Sequence, residues 1–234
     1  GLNVYTSIRA ADQNAAYTAL RAGILDYDRR QVYRGPERFI ELPGNPKELD
    51  EAVDDALASH PDAGELLAAV VTRVDAQGRS ASVMRRGGET VEIAADGLRA
   101  VASGLSAKAG PNIRIRPGAV VRIVRNSRNQ WAMTQIPEVE GALVALDPRN
   151  GAIKALVGGF DFDKNKFNHV TQAWRQPGSS FKPFIYSAAL EKGFSPTTMI
   201  NDTPLFFDAS VTGGQPWEPK NDEGGFEGPM TMKG

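Results

Sequence analysis

Residues 175–186 read Arg175-Gln176-Pro177-Gly178-Ser179-Ser180-Phe181-Lys182-Pro183-Phe184-Ile185-Tyr186. Pro177-Gly178 marks a turn, and an apolar helix follows it. Phe181, Phe184, Ile185 and Ala188 recur at i, i+3, i+4 and i+7, the spacing of one buried helix face. Ser179 and Lys182 stand three apart, which puts them side by side on another face. Ser179 then lies at the helix N-terminus, where outward N–H groups favour developing negative charge. Pro183 falls near the first turn, where its missing N–H costs little. A serine hydroxyl is a poor nucleophile without a base in reach. A partly buried lysine can be that base, because desolvation lowers its pKa. As four bare residues, Ser-x-x-Lys also describes a helix cap followed by a solvated lysine. Ser and Lys are common, and roughly one chance match is expected in a chain of this length.

The surrounding residues narrow the choice. The run Arg-Gln-Pro-Gly-Ser-Ser-Phe-Lys-Pro-Phe-Ile-Tyr closely resembles the nucleophile segment of bifunctional class A penicillin-binding proteins, which polymerise and cross-link peptidoglycan. The resemblance makes Ser179 the acylated serine and Lys182 the motif lysine. The same Ser-x-x-Lys occurs in class A β-lactamases.

Working upstream, Gly141–Leu146 and Ile153–Val157 are apolar runs joined by Asp147-Pro148-Arg149-Asn150-Gly151, a strong turn signal. This hairpin, with Gly158-Gly159 after it, resembles the first central strands of the family's transpeptidase sheet. The polar stretch 161–172 reads as loop, with Phe160, Phe162 and Phe167 available to tuck under the nucleophile helix. Downstream, the helix should end at the basic turn Lys192-Gly193. Residues 197–228 are too rich in Gly and Pro for long regular structure. Trp217-Glu218-Pro219-Lys220-Asn221 and Glu227-Gly228-Pro229-Met230-Thr231 also look like the family.

Residues 64–136 form a β-rich module. Strands are predicted over 66–74, around Val83, at Val91 and Ile93, over 120–124 and over 131–136, with Asp96 capping a short helix that runs to Leu105. Three strands, a helix and two strands is the order of a five-stranded OB-like barrel. The segment carries eleven Lys/Arg against five acids, near +6, while both flanks are acidic. The contrast marks a module with its own partner surface. A basic OB-like barrel also fits a binder of single-stranded nucleic acid, although such grooves interleave aromatics and Trp131 stands alone here; its arginines equally suit an acidic protein, anionic lipid headgroups or glycan.

At the front, Leu2, Val4, Thr6 and Ile8 alternate with polar residues as in a half-buried strand, followed by a helix with Asp12 as cap and Ala16, Ala19, Leu20, Gly23 and Ile24 as its stripe. This unit resembles the family's lead-in to the transpeptidase. Residues 27–46 read as an extended connector and 48–57 as a short acidic helix. The predicted division is 1–63 linker with strand and helix, 64–137 OB-like β-barrel, and 138–234 the N-terminal part of the transpeptidase domain. The fold class is therefore α+β, with a small barrel set before a partial domain of the serine β-lactamase-like kind.

Composition sets limits. The chain has 234 residues and 41% apolar content, enough to fill a core. Without cysteine there is no disulfide framework or thiol chemistry. His60 and His169 are the only histidines; they read as surface residues, and a Ser-His-Asp triad would have to use one of them. No apolar run reaches the roughly 20 residues of a membrane span. Starting at Gly1 and ending at Lys233-Gly234, the chain reads as an excised fragment.

The family's Ser-x-Asn and Lys-Thr-Gly motifs do not follow Ser179. Ser127-Arg128-Asn129 matches the first by letters but lies in the barrel and is read as a chance match. In the family the second oxyanion donor comes from the strand after Lys-Thr-Gly, and losing one donor costs about a hundredfold or more in rate. The resemblance thus implies a D,D-transpeptidase fragment inactive by itself. Its implied substrate is the peptidoglycan stem peptide ending in D-Ala-D-Ala, and β-lactams would trap the serine. No metal or organic cofactor is implied. A periplasmic protein is the expected partner at the OB-like module, with no nucleic acid. The parent is expected to be anchored in the bacterial inner membrane with this part on the periplasmic face. A β-lactamase fits poorly, because the front linker and inserted barrel have no place in that fold.

Overall fold

A computed structural model describes residues 2–233. In chain order the first elements are α1 (Ala10–Asp28), β1 (Arg38–Phe39), α2 (Pro46–Ala58), β2 (Leu67–Val74), β3 (Ser80–Met84), β4 (Thr90–Ala94) and α3 (Ala102–Leu105). There follow β5 (Ala119–Arg125), β6 (Trp131–Thr134), β7 (Leu143–Leu146), β8 (Ile153–Val157), α4 (Lys182–Glu191), β9 (Met199–Asp202), α5 (Ala209–Thr212) and β10 (Gly228–Thr231). The chain divides into two compact units between Trp174 and Arg175.

In the first unit, β2, β3 and β4 form an antiparallel meander and β5 pairs with the free edge of β2. Residues 120 and 122–123 of β5 pair with β2 on one side and with β1 or β6 on the other, so β1 and β6 share one edge. Apart from Arg122 and Arg125, β5 is apolar because both its faces are covered. Ala119, Val121 and Ile123 face Val71, Val83, Ile93 and Leu98. Val120 faces α2 through Val53 and Leu57. α2 starts where Asn45 accepts from Lys47 N (3.1 Å), with Pro46 in the first turn.

The predicted order of three strands, a helical piece and two strands is present, but the sheet does not close into a barrel. Among the described residues β4 and β6 share no ladder. The 3-10 segment Ala95–Val101 lies against β6 instead. Gly97 comes so close that a Cβ there would sit 2.2 Å from Trp131 O. Asp96 lies within the first turn of that segment rather than at its cap.

α1 touches two partners. Ala16 and Leu20 pack on Ala155 and Val157 of β8, and Ile24 and Leu25 pack on Ala63, Leu66 and Phe160. Its cap position is Arg9, and Asp12 lies inside the first turn. The Gln13 amide donates to Leu156 O (2.9 Å) and accepts from Leu156 N (2.8 Å), so it stands where a neighbouring strand would. Arg9 N takes Lys154 O on the same edge (3.0 Å). With that edge used, residues 2–8 form no strand, and Leu2, Val4 and Ile8 are exposed, contrary to their alternation. The connector 27–46 is not wholly irregular, since β1 lies within it.

In the second unit a 3-10 turn (Gly178–Phe181) leads into α4, and β9 pairs antiparallel with β10. Phe207 and Trp217 exchange backbone hydrogen bonds and stack at 5.2 Å. The face of Phe181, Phe184 and Ile185, which the spacing marks for burial, is exposed. The apolar period is real, yet among the described residues no buried cluster includes it.

Candidate active site

Pro177 and Gly178 form the predicted turn, with Gly178 at φ 53° in the left-handed region. Ser180 N donates to Pro177 O (3.2 Å), and Lys182 N donates to Ser179 O. In a 3-10 turn, residues three apart eclipse one another, so Ser179 and Lys182 leave the backbone on the same side. Both are exposed. Among the described residues neither Ser179 Oγ nor Lys182 Nζ has a hydrogen-bond or ion-pair partner, and none joins the two. The turn brings Ser179 and Lys182 to one side of the backbone, while among the described residues no hydrogen bond joins amine to hydroxyl.

A cavity of about 380 Å³ lies beside α4, lined by Tyr186, Asp202, Asn221, Leu205, Phe226 and Met230 among others. Asp202 organises its polar end. Asn221 Nδ2 donates to both Asp202 oxygens (3.0 and 2.9 Å) and Glu227 N donates to one (2.9 Å). The Asn221 amide, then the Glu227 N–H, holds the Asp202 carboxyl below the usual carboxylate range. The sequence shows Asn221 only as part of a family-like cluster; its tie to Asp202 across 19 residues has no local signal.

The Ser127-Arg128-Asn129 match is the β5–β6 turn. There Asn126 Oδ1 accepts from Arg128 N and Gln130 N (2.9 Å each), and Asn129 takes φ 57°. The histidines are held by main chain: His60 Nδ1 lies 2.9 Å from Ala56 O, and His169 Nδ1 lies 2.8 Å from Gly158 O.

The basic residues of 64–136 are less available than their number implies. Arg73, Arg79, Arg85, Arg99, Arg122 and Arg128 each have a carboxylate partner. Arg125 Cζ lies over the Trp131 ring at 3.9 Å. α2, packed on β2, adds Glu48, Asp50, Glu51, Asp54 and Asp55 against Lys47 alone. The module thus carries acidic and basic regions together.

Residues 33–139 match a family model described as the penicillin-binding protein OB-like domain. Residues 141–233 match one described as the penicillin binding protein transpeptidase domain. Penicillin-binding protein 1A of Neisseria lactamica is 42% identical over 233 residues, covering 100% of this chain and 29% of its own length. That of Escherichia coli K12 is 40% identical over 240 residues, 100% of this chain and 28% of its own. The chain therefore spans under a third of the curated relatives it matches. The crystal structure of penicillin-binding protein 1A from Haemophilus influenzae matches with a TM-score of 0.76 and 32% identity, over 98% of this chain and 32% of that one.

Proposed function

The chain belongs to the penicillin-binding protein family, and from that premise we propose that it is part of a peptidoglycan D,D-transpeptidase acylated at Ser179. The supporting observation is the Ser179–Lys182 pair on one 3-10 turn at the head of α4, inside the segment matched by the transpeptidase model. In the longer protein Ser179 Oγ attacks the carbonyl carbon of the penultimate D-Ala. Lys182 Nζ takes the hydroxyl proton. The C–N bond breaks, and the terminal D-Ala leaves as an amine carrying a proton. The amine of a neighbouring stem peptide then attacks the ester, forms the cross-link and releases Ser179. A β-lactam opens on the same oxygen and stays as an ester. The parent works at the periplasmic face of the inner membrane, with a protein partner at the OB-like module. With six arginines of that module in ion pairs, less basic surface is left for a polyanion, and no observation favours nucleic acid.

Labelled penicillin tests the reading. The longer protein should be acylated and its Ser179→Ala variant should not; labelling of that variant at wild-type rate removes Ser179 from the mechanism. This chain alone should label at least a hundredfold more slowly, for want of the second oxyanion donor. Efficient acylation of the 234-residue chain would refute its inactivity.

A further inference from the structure

Arg21, at the middle of α1, is 3% exposed, and its guanidinium is shared among three segments. Nε lies 3.0 Å and Nη2 2.9 Å from Glu65 Oε2, and Nη2 donates to Ala63 O (2.7 Å), all in the turn that enters β2. Nη1 donates to Phe160 O (2.6 Å), just beyond β8, with Asp161 Oδ2 at 3.6 Å and Tyr17 Oη at 3.2 Å. Cζ lies 3.9 Å from the centroid of the fully buried Phe160 ring. Phe160 is held from its other side too, since its N–H donates to Glu140 Oε2 (3.0 Å). Gly64 leaves room for all this: at φ 62°, a Cβ there would stand 2.8 Å from Arg21 Nη2.

The apolar contacts of α1 are split between β8 and the OB-like module, and such contacts are non-directional. A guanidinium is different. Its donors form a rigid fork, and its burial is compensated only when every partner is in place. The Ala63–Glu65 turn, α1 and the Phe160–Asp161 corner must therefore adopt one mutual arrangement.

The geometry points to Arg21 as a positioning residue. It locks the OB-like module to the β7–β8 pair and fixes the Phe160–Asp161 corner just beyond β8. The coupling of module to hairpin stands on its own; its effect on acylation rests on the proposed role of Ser179.

The chain lacks cysteine, so Ser127→Cys in the β5–β6 turn and Val144→Cys on β7 can carry nitroxide labels for pulsed dipolar distance measurement. With Arg21 present, one narrow distance population is expected. Arg21→Met should broaden it, and amide exchange at Phe160 and Asp161 should accelerate about a hundredfold while amides of β2 and β5 stay protected. Gly64→Ala, which pushes the guanidinium aside without removing its charge, should act in the same direction. Arg21→Lys should be intermediate. A narrow population with native exchange at 160–161 in Arg21→Met overturns the inference. If that variant fails to fold, unchanged distances in both Gly64→Ala and Arg21→Lys overturn it equally. In the longer protein the broadened variants should acylate Ser179 more slowly with labelled penicillin. Unchanged acylation in them refutes an effect of this lock on the Ser179 reaction, and absence of acylation even with Arg21 intact counts against Ser179 itself.

Discussion

Glu37 and Arg122 make one ion pair, and losing either partner should not cost the same. Arg122 sits in β5 with its side chain 3% exposed, donating from Nε and Nη2 to Glu37 (2.5 and 2.8 Å) and from Nη1 to Pro61 O (2.6 Å). Glu37 is 27% exposed and borders a cavity of about 380 Å³ that it shares with Arg34 and Lys164. Glu37→Ala leaves a buried guanidinium without its counter-charge, a loss in the range of about 3–5 kcal/mol. The remaining Pro61 carbonyl and access of water from the cavity place it at the lower end, about 3 kcal/mol. Arg122→Leu instead leaves a carboxylate that can turn to solvent, and puts an apolar side chain on the face already occupied by Val120. That cost should be about 1 kcal/mol or less. Urea unfolding in a Trp174→Phe/Trp217→Phe background lets Trp131, on β6, report on the sheet. With a slope of about 2 kcal/mol per molar, the two midpoints should differ by about 1 M. Equal losses, or a larger one for Arg122→Leu, would refute the view that desolvation of the buried cation sets the energy.

The Asp147 carboxyl is held well below the usual carboxylate range by hydrogen bonds from the Arg149 side chain, then from Arg149 N–H, then from Lys154. Its contribution should be complete above the unfolded pKa of about 3.9 and decay as pH falls through the lower folded value. Thermal unfolding between about pH 5 and about pH 2 should show that loss, and Asp147→Asn should remove this share of the acid dependence; an identical profile would contradict it. Gln13→Ala removes the amide that serves Leu156, and should cost about 1–2 kcal/mol with faster exchange at Leu156 N. Asn45→Ala deletes the α2 cap and should cost about 1 kcal/mol in urea unfolding, with Asn45→Asp near neutral.

The elements that could be read in advance are those whose burial follows a simple period. Val91 and Ile93 alternate because β4 has one covered face, and Val120, Val121, Ile123 and Val124 fill successive positions because β5 has two. β1 escaped notice because two residues cannot show a period. Arg21 and Arg122 were invisible as core residues, since their burial depends on partners 44 and 85 positions away. Residues 2–8 have a strand's alternation, but the β8 edge beside them is taken by Gln13 and Arg9. At the site, the Ser179–Lys182 spacing was legible, and the 3-10 turn accounts for it. The lack of a hydrogen bond between amine and hydroxyl was not, because spacing sets the direction of two side chains and leaves their rotamers open. The family resemblance likewise could not foretell an open sheet, which depends on how closely Gly97 approaches β6.

The Gln13–Leu156 contact closes a loop of 143 residues. During vectorial synthesis at about 5–20 residues per second, α1 would emerge on the order of ten seconds before β8 exists to receive it. The meander and β5 can meanwhile assemble from shorter loops, which close sooner. The half of α1 that packs on β8 is therefore among the last parts of its unit to dock. Until it does, its apolar stripe is a ready target for a holdase, and a translational pause before residue 153 would lengthen that exposure.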